Sequence, residues 1–206
     1  MSHSDIRFLG RIFAATDATF LSTHKAYAAT ASQLALGTDA GTATFQASDG
    51  LYAHNITLTA TVDHSGKTFS VVGVKIDGTT ATDNITGPAA GATVSGTIPF
   101  KSITEINVTG GPTDSLAVGI GRIMAVPISR VKQVRVTLAS AGDISSITFR
   151  DGSTSTGELK MKLDYPASTD IVRIDCTPIP NAGMRFEKGG VVNVTSGVAS
   201  VGLWFA

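Results

Sequence analysis

The stretch NITLTATVDHSGKTFSVVGVKI, residues 55–76, sets the character of this chain. Within residues 56–62 every second side chain is apolar, and threonine fills the positions between them. A β-strand points successive side chains to opposite faces, so this alternation predicts a strand with one buried and one solvated face. The polar segment His64–Lys67 interrupts the pattern and residues 68–76 resume it, which predicts a β-hairpin.

The same kind of pattern extends over most of the chain. From residue 42 onward, short strands separated by glycine-containing turns recur at spacings typical of β-sandwiches. Pro127 marks a junction, because proline lacks a backbone N–H and restricts the residue before it. We therefore predict an all-β fold of two tandem β-sandwich domains, Ig-like or jelly-roll-like, over residues 46–124 and 125–206. Residues 1–45 show no clean period and predict an irregular N-terminal arm, with an edge strand on the first sheet as the alternative.

Alternation also predicts which side chains fill the core of the first sandwich. In residues 71–74 the apolar phase shifts by one position, which predicts a β-bulge at Gly73. The predicted core residues share the apolar side of their strands: Ile56, Leu58, Phe69, Val74, Ile76, Ile106, Val108, Leu116, Val118 and Ile120.

The composition argues against two classes of partner. Only 16% of the 206 residues are charged, and 16 basic side chains balance 16 acidic ones. General affinity for nucleic acid needs a basic excess, so we expect no nucleic-acid partner. The sequence has no run of about 18 apolar residues, so we expect no membrane partner. Residues 1–5 lack the basic start of a signal peptide, and none is predicted.

Residues that could carry catalysis or bind a metal are scattered along the chain. The single cysteine, Cys176, excludes an internal disulfide, and its neighbours predict a small buried side chain on a strand. The four histidines lack the spacing of a zinc pair, although His54 and His64 flank the predicted hairpin. The acidic residues of the second domain would have to converge in a cleft to hydrolyse a glycoside. We expect no catalytic residue, no cofactor and no metal.

One segment of the chain contains basic residues but no acidic ones. No acidic residue occurs between Asp114 and Asp143, whereas four cationic side chains do, and two more arginines lie in the predicted arm. A cationic strip of this kind would set the register of docking on an acidic partner surface. The alternative is a solvated edge strand whose charges prevent unwanted pairing. The candidate docking residues are Arg7, Arg11, Arg122, Arg130, Lys132 and Arg135.

Several motifs resemble β-rich structural proteins of tailed-bacteriophage virions. They are the strands at residues 55–60 and 71–78, the ITGP turn at residues 85–88, the FKSIT strand at residues 100–104 and the IPNAGMRF segment at residues 179–186. The resemblance implies a virion component, most like the capsid decoration (cement) proteins that seat on joints between shell subunits, often as trimers. It implies the major capsid protein or other virion subunits as partners, and a homo-oligomer with a trimer favoured. It also implies a place on the capsid surface of the virion, after synthesis in the host cytoplasm.

Three other interpretations stay open. A neck, tail or baseplate component would carry the same motifs. A carbohydrate- or receptor-binding module would need exposed aromatic rings, for which Tyr52, Tyr165 and Trp204 are the candidates. An enzyme would need a cleft with perturbed ionisable groups, for which Glu158 and Asp164 are the best candidates.

Overall fold

The computed structural model describes residues 7–13, 17–25, 53–109, 116–126, 130–138, 145–166, 173–180, 182–195 and 198–205. Over these residues the fold is all-β, as predicted, and its strands pair in antiparallel sheets. No helix long and apolar enough to cross a membrane occurs among them. The strands are β1 (Arg7–Phe13), β2 (Asp17–Lys25), β3 (Ala53–Ala60), β4 (Thr68–Val74), β5 (Thr80–Thr86), β6 (Thr93–Ser95), β7 (Ser102–Val108), β8 (Leu116–Val126), β9 (Arg130–Leu138), β10 (Ser145–Asp151), β11 (Glu158–Tyr165), β12 (Arg173–Pro178), β13 (Met184–Arg185), β14 (Gly190–Val194) and β15 (Val198–Phe205).

The chain divides into two compact units. The middle unit spans Thr16–Ala125, and the terminal unit joins Met1–Ala15 to Val126–Ala206. The middle unit therefore begins at Thr16 and ends at Ala125. The first residues of the chain therefore group with its C-terminal part.

Two sheets of the middle unit share one hydrophobic core. Strand β4 lies between β5 and β7 in one sheet, and β3 lies between β6 and β8 in the other, with β2 also paired to β8. Side chains from both sheets, among them Ile56, Leu58, Phe69 and Ile106, form a single buried cluster. Burying each such side chain contributes about 1.5–3 kcal/mol, so this cluster is the main stabilising feature of the unit.

The hairpin predicted for residues 55–76 is wrong. β3 and β4 belong to different sheets, and residues 61–67 carry the chain from one sheet to the other. The predicted alternation of buried and solvated positions is confirmed in β4, whereas in β3 Asn55 and Thr57 are buried as well. Alternation identifies the apolar face of a strand but not its partner. Here both apolar faces contribute to the same core, so the two strands lie in opposite layers.

The register shift predicted at Gly73 is present, but the extra residue lies in the neighbouring strand. The residues of β7 that pair with Val72 and Gly73 are Glu105 and Ile103, which leaves Thr104 as the extra residue. β4 pairs with β5 without interruption and keeps its own alternation. The bulge therefore bends β7 rather than β4.

This placement of the bulge explains one error among the predicted core residues. Seven of the ten are buried, and Val74, Ile76 and Ile120 are half-buried. Because β4 keeps its alternation, Gly73 takes the core position that was predicted for Val74. A Cβ atom on Gly73 would lie 2.7 Å from the Phe100 ring, so that ring fills the place of the missing side chain.

Strand β9 is central in the five-stranded sheet of the terminal unit. It pairs with β15 along one edge and with β12 and β13 along the other, and β1 extends the sheet beyond β15. In the same unit β10 pairs with β11 and β14. The core positions of β9 share full or nearly full burial: Val131, Val134, Val136 and Leu138.

Two strands lie within residues 1–45, for which the sequence predicts an irregular arm. β1 pairs with β15 in the terminal unit, and β2 pairs with β8 in the middle unit. Register shifts interrupt both strands, one of them between Leu9 and Ile12. A strand whose pairing register shifts does not keep a period of two along its sequence, which explains why the sequence shows no regular alternation there. The other residues of the predicted arm lie outside the described residues.

Candidate partner-docking face

The two histidines considered as metal ligands are buried in different surroundings. The Nδ1 atom of His54 lies 3.3 Å from the carbonyl oxygen of Gly121. Burial lowers the pKa of His54 because the charged form is poorly solvated there, and the Gly121 hydrogen bond only partly opposes this effect. The His64 ring packs edge-on against Phe69, with ring centroids 6.2 Å apart. Within the described ranges, no group of three His, Cys, Asp or Glu side chains is placed to hold a metal ion.

A buried carboxylate in the middle unit holds a backbone turn. Oδ2 of Asp83, on β5, accepts hydrogen bonds from the amides of Thr97 and Ile98, at 2.7 and 3.0 Å. The turn approaches closely at Gly96, where a Cβ atom would lie 2.4 Å from the same carboxylate. Asp83 is 7% exposed, so few water molecules can replace these hydrogen bonds. Its role is to fix the segment between β6 and β7.

A second buried carboxylate does the same in the terminal unit. Asp151, at the end of β10, accepts hydrogen bonds from the amides of Glu187 and Lys188, at 3.0 and 2.8 Å. Nζ of Lys160 lies 3.7 Å from the same carboxylate. Burial raises the pKa of Asp151, but the two amide hydrogen bonds and the nearby lysines together outweigh it and hold this pKa below its ordinary value. The segment that follows β13 is thereby tied to β10.

The carboxylates proposed for an enzyme lie on β11 and form ion pairs at the surface. Glu158 lies 2.9 Å from Lys160, and Asp164 lies 2.8 Å from Lys162. The side chains of Glu158 and Asp164 are 71% and 58% exposed, so water solvates both groups well. Both carboxylates are therefore solvated surface groups, each paired with a lysine of the same strand.

The aromatic rings proposed for sugar binding have limited exposure. Tyr165 is 4% exposed and belongs to the core of its unit, and Trp204 is half-buried on β15. Tyr52 lies outside the described residues. These positions give no exposed pair of rings in the part of the chain that the structure describes.

Three of the candidate docking residues lie together on β9. Lys132 is the extra residue of a bulge opposite β15, because Gln133 and Val131 pair with consecutive residues of that strand. The bulge shifts the alternation, so Arg130, Lys132 and Arg135 all occupy the side away from the buried valines. Arg135 is exposed, and the other two are half-buried. Since β9 is a central strand, the alternative prediction of a charged edge strand is wrong.

A fourth cation, which the sequence analysis missed, joins this group. Arg185 on β13 pairs directly with Arg130 in the antiparallel register, and its side chain is 69% exposed. Paired residues of antiparallel strands project to the same side of the sheet. Arg185 therefore shares the outer surface with Arg130. We call Arg130, Lys132, Arg135 and Arg185 the cationic face.

The turn before β13 lies against two members of the cationic face. Gly183 adopts a left-handed conformation, with φ of 84°. A Cβ atom there would lie 2.9 Å from Cδ of Lys132 and 3.3 Å from Cγ of Arg130. The carbonyl oxygen of Val131 would be closer still, at 2.5 Å. The aliphatic parts of Lys132 and Arg130 thus both lie against this glycine, and a larger residue here would force a shift.

The cationic face has little acidic compensation within the described residues. Glu187 lies 4.0 Å from Arg185, and both side chains are more than 60% exposed. Such an exposed pair contributes at most about 1 kcal/mol. Arg130, Lys132 and Arg135 form no ion pair with a residue that the structure describes. The cationic face therefore carries an excess of positive charge.

The remaining candidates are not members of this face. Arg122 lies in the middle unit, within a bulge where β3 and β8 shift register. Asn55 fills that bulge, since its Oδ1 accepts the amide of Ile123 at 2.9 Å. Arg7 and Arg11 lie on β1, which is separated from β9 by β15, and their side chains are outside the described part of the structure.

Comparison with known proteins assigns the chain to no family. No protein-family model matches it, and no curated protein matches it either.

Proposed function

We propose that this protein is a non-enzymatic structural component of tailed-phage virions that decorates and stabilises the capsid by bridging shell subunits. The resemblance of its strand and turn motifs to virion proteins supports this role. The observation that carries the proposal is the cationic face on β9. A group of like charges on a central strand, with little compensation nearby, suits docking on an acidic surface.

The buried polar side chains support a scaffold role. Asn55, Asp83 and Asp151 each hydrogen-bond to backbone groups distant in sequence, and His54 lies next to the Gly121 carbonyl. These contacts hold turns and bulges in fixed positions. A surface that is ordered before binding loses less conformational entropy on docking. Rigid docking of this kind is what a cement protein requires.

We take the two units to be tandem β-sandwiches of an Ig-like or jelly-roll-like kind. In the middle unit, two sheets contribute side chains to one core, which is the layer arrangement of a sandwich. In the terminal unit, the alternate buried positions of β9 and the buried residues of β10 and β14 are typical of inner faces.

The partners in this proposal are the major capsid protein or other virion subunits. We expect a homo-oligomer, with a trimer favoured, on the capsid surface. A symmetric shell repeats the same joint between its subunits. A closed symmetric oligomer seated on such a joint would contact each of the joined subunits in the same way. An exposed cationic face is available to such joints.

The copy number of this chain per particle tests the proposal. Virions that carry its gene are purified and the chain is measured against the major capsid protein by quantitative mass spectrometry. A number comparable to that of the shell subunit is expected for a decoration protein. A few copies would contradict decoration and favour a neck, tail or baseplate position. Absence from the particle would overturn the virion role and favour a binding module.

A further inference from the structure

We propose that Arg130, Lys132 and Arg185 form a carboxylate-binding site, whose partner is an acidic patch on a protein surface. This inference deepens the proposed function, and rests on it for the identity of the partner as a virion subunit. The site itself is argued from the geometry of the terminal unit alone.

The first step is the pairing of two like charges. Arg130 and Arg185 lie directly opposite each other in the ladder between β9 and β13. The Cβ atoms of such a pair lie about 5 Å apart, and like charges on directly opposite residues destabilise the pairing of the strands. A carboxylate bound between the two guanidinium groups would replace repulsion by two attractions. The pair is therefore arranged as the two sides of an anion site.

The second step is the turn that places the third cation. The amide of Ile179 donates to the carbonyl oxygen of Lys132 at 2.9 Å, and the amide of Gly183 donates to Pro180 at 3.2 Å. The turn therefore departs from β9 at Lys132 and returns beside Arg130. Because Gly183 has no side chain, the turn can lie against the aliphatic parts of Lys132 and Arg130.

The third step is the choice between carboxylates and phosphates. The chain carries no net charge, and phosphate polyanions need a basic excess for strong attraction. The exposed carboxylate of Glu187, 4.0 Å from Arg185, would also repel a continuous polyanion. Arginine forks match single carboxylates well, through two parallel hydrogen bonds. A protein surface with a few separate carboxylates fits these constraints better than a nucleic acid.

The experiment measures binding of a fluorescein-labelled oligoglutamate peptide, in which glycine and serine spacers separate the glutamates, to the full chain by fluorescence anisotropy at low salt. Arg130→Gln and Arg185→Gln should each weaken binding about fivefold. The matched control is Lys162→Gln, which removes one exposed cation from the same unit, 2.8 Å from its own partner Asp164. This control should change the affinity by less than about twofold.

A second pair of variants tests geometry without changing charge. Gly183→Ala should weaken binding about threefold, because its methyl group would lie 2.5 Å from the carbonyl oxygen of Val131 and 2.9 Å from Cδ of Lys132, so the turn and the lysine must shift relative to β9. Gly78→Ala is its control, since Gly78 has a nearly identical φ of 82° but nothing within 4 Å of a Cβ atom. That variant carries the same kind of backbone strain and should bind like the parent chain. If Gly183→Ala fails to fold, the exposed Arg185→Gln variant still decides the question.

Three results would overturn the site. They are absence of oligoglutamate binding, equal losses in Arg185→Gln and Lys162→Gln, and tighter binding of an oligothymidylate of equal charge. The last would indicate a phosphate ligand in place of a carboxylate surface. Each leaves the copy number per particle untouched, so failure of the site and failure of the virion role are distinguishable.

Discussion

The middle and terminal units solve the same structural problem with the same side chain. In the middle unit Asp83 accepts the consecutive amides of Thr97 and Ile98, and in the terminal unit Asp151 accepts those of Glu187 and Lys188. Both aspartates are 7% exposed. Each therefore acts as an internal cap for a turn that secondary structure leaves without hydrogen-bond acceptors.

We call Asp83 and Asp151, each with the two amides that it accepts, the two clamps. They differ in what lies next to them. The segment held by Asp83 leads into Phe100, whose ring is buried in the core. The segment held by Asp151 directly follows Phe186 and Arg185, and it lies near the charge of Lys160. One clamp thus supports packing, whereas the other also fixes the strand that carries part of the cationic face. The same local device serves stability in one unit and surface geometry in the other.

The largest expected effect is on stability in the middle unit. Asp83→Ala leaves the amides of Thr97 and Ile98 without the acceptor of two part-buried hydrogen bonds, which should lower the free energy of unfolding by about 2–4 kcal/mol. Urea unfolding followed by hydrogen-exchange mass spectrometry of β5 and β6 measures this change. The control is Asp63→Ala, because Asp63 also accepts an amide, from Ser65 at 2.8 Å, but is exposed. Water can replace that acceptor, so a comparable loss in the control would contradict the assignment of the effect to burial.

A smaller effect separates the two units by their response to acid. The pKa of buried His54 lies below its ordinary value of 6.5, so below pH 6.5 the unfolded chain binds a proton that the folded chain does not. Stability of the middle unit should therefore be complete above pH 6.5. It should fall below that value by at most about 1.4 kcal/mol per pH unit, until the folded pKa is reached.

Asp151 predicts that the stability of the terminal unit falls only at a lower pH. Its pKa lies below the ordinary 3.8, so its contribution is complete above pH 3.8 and is lost as the pH falls further. Between pH 7 and pH 5, protection from hydrogen exchange, corrected for the intrinsic exchange rate at each pH, should fall in β3 and not in β10. His54→Asn keeps a hydrogen-bond donor but does not titrate, so it should remove the difference. An unchanged acid response in this variant would assign it to another group.

The sequence predicted individual strands better than their partners. The alternation in residues 68–74 correctly gave β4, and that in residues 56–62 gave the position of β3. Strand pairing is decided by distant segments, so the adjacent strands were wrongly joined as a hairpin. The irregular appearance of β1 has a similar cause, because its bulge between Leu9 and Ile12 cancels the alternation.

The candidate site was predicted only in part for the same reason. Arg130, Lys132 and Arg135 are close in sequence, and the absence of acidic residues around them was a usable signal. Arg185 joins them through a cross-strand pairing that no local pattern encodes. The role of Asp151 was equally inaccessible, because its amide partners lie 36 and 37 residues further along the chain.

The smallest expected effect tests whether the Asp151 clamp positions the cationic face. Asp151→Asn keeps one oxygen but weakens the hold on Glu187 and Lys188, so Arg185 should become less well placed. Oligoglutamate affinity should then fall about threefold, although the variant has one negative charge fewer. Asp83→Asn makes the same chemical change in the middle unit and should leave affinity equal or slightly raised.

The sign of the change makes this comparison decisive. If net charge alone governed binding, both variants would bind the acidic peptide more tightly, because each removes a repelling carboxylate. If the clamp positions the face, the terminal variant binds more weakly and the middle variant does not. Fluorescence of the single tryptophan, Trp204, which lies on β15 beside β9, shows whether the terminal unit of Asp151→Asn stays folded under the binding conditions. Equal behaviour of the two folded variants would contradict the distinction between a clamp for packing and a clamp for surface geometry.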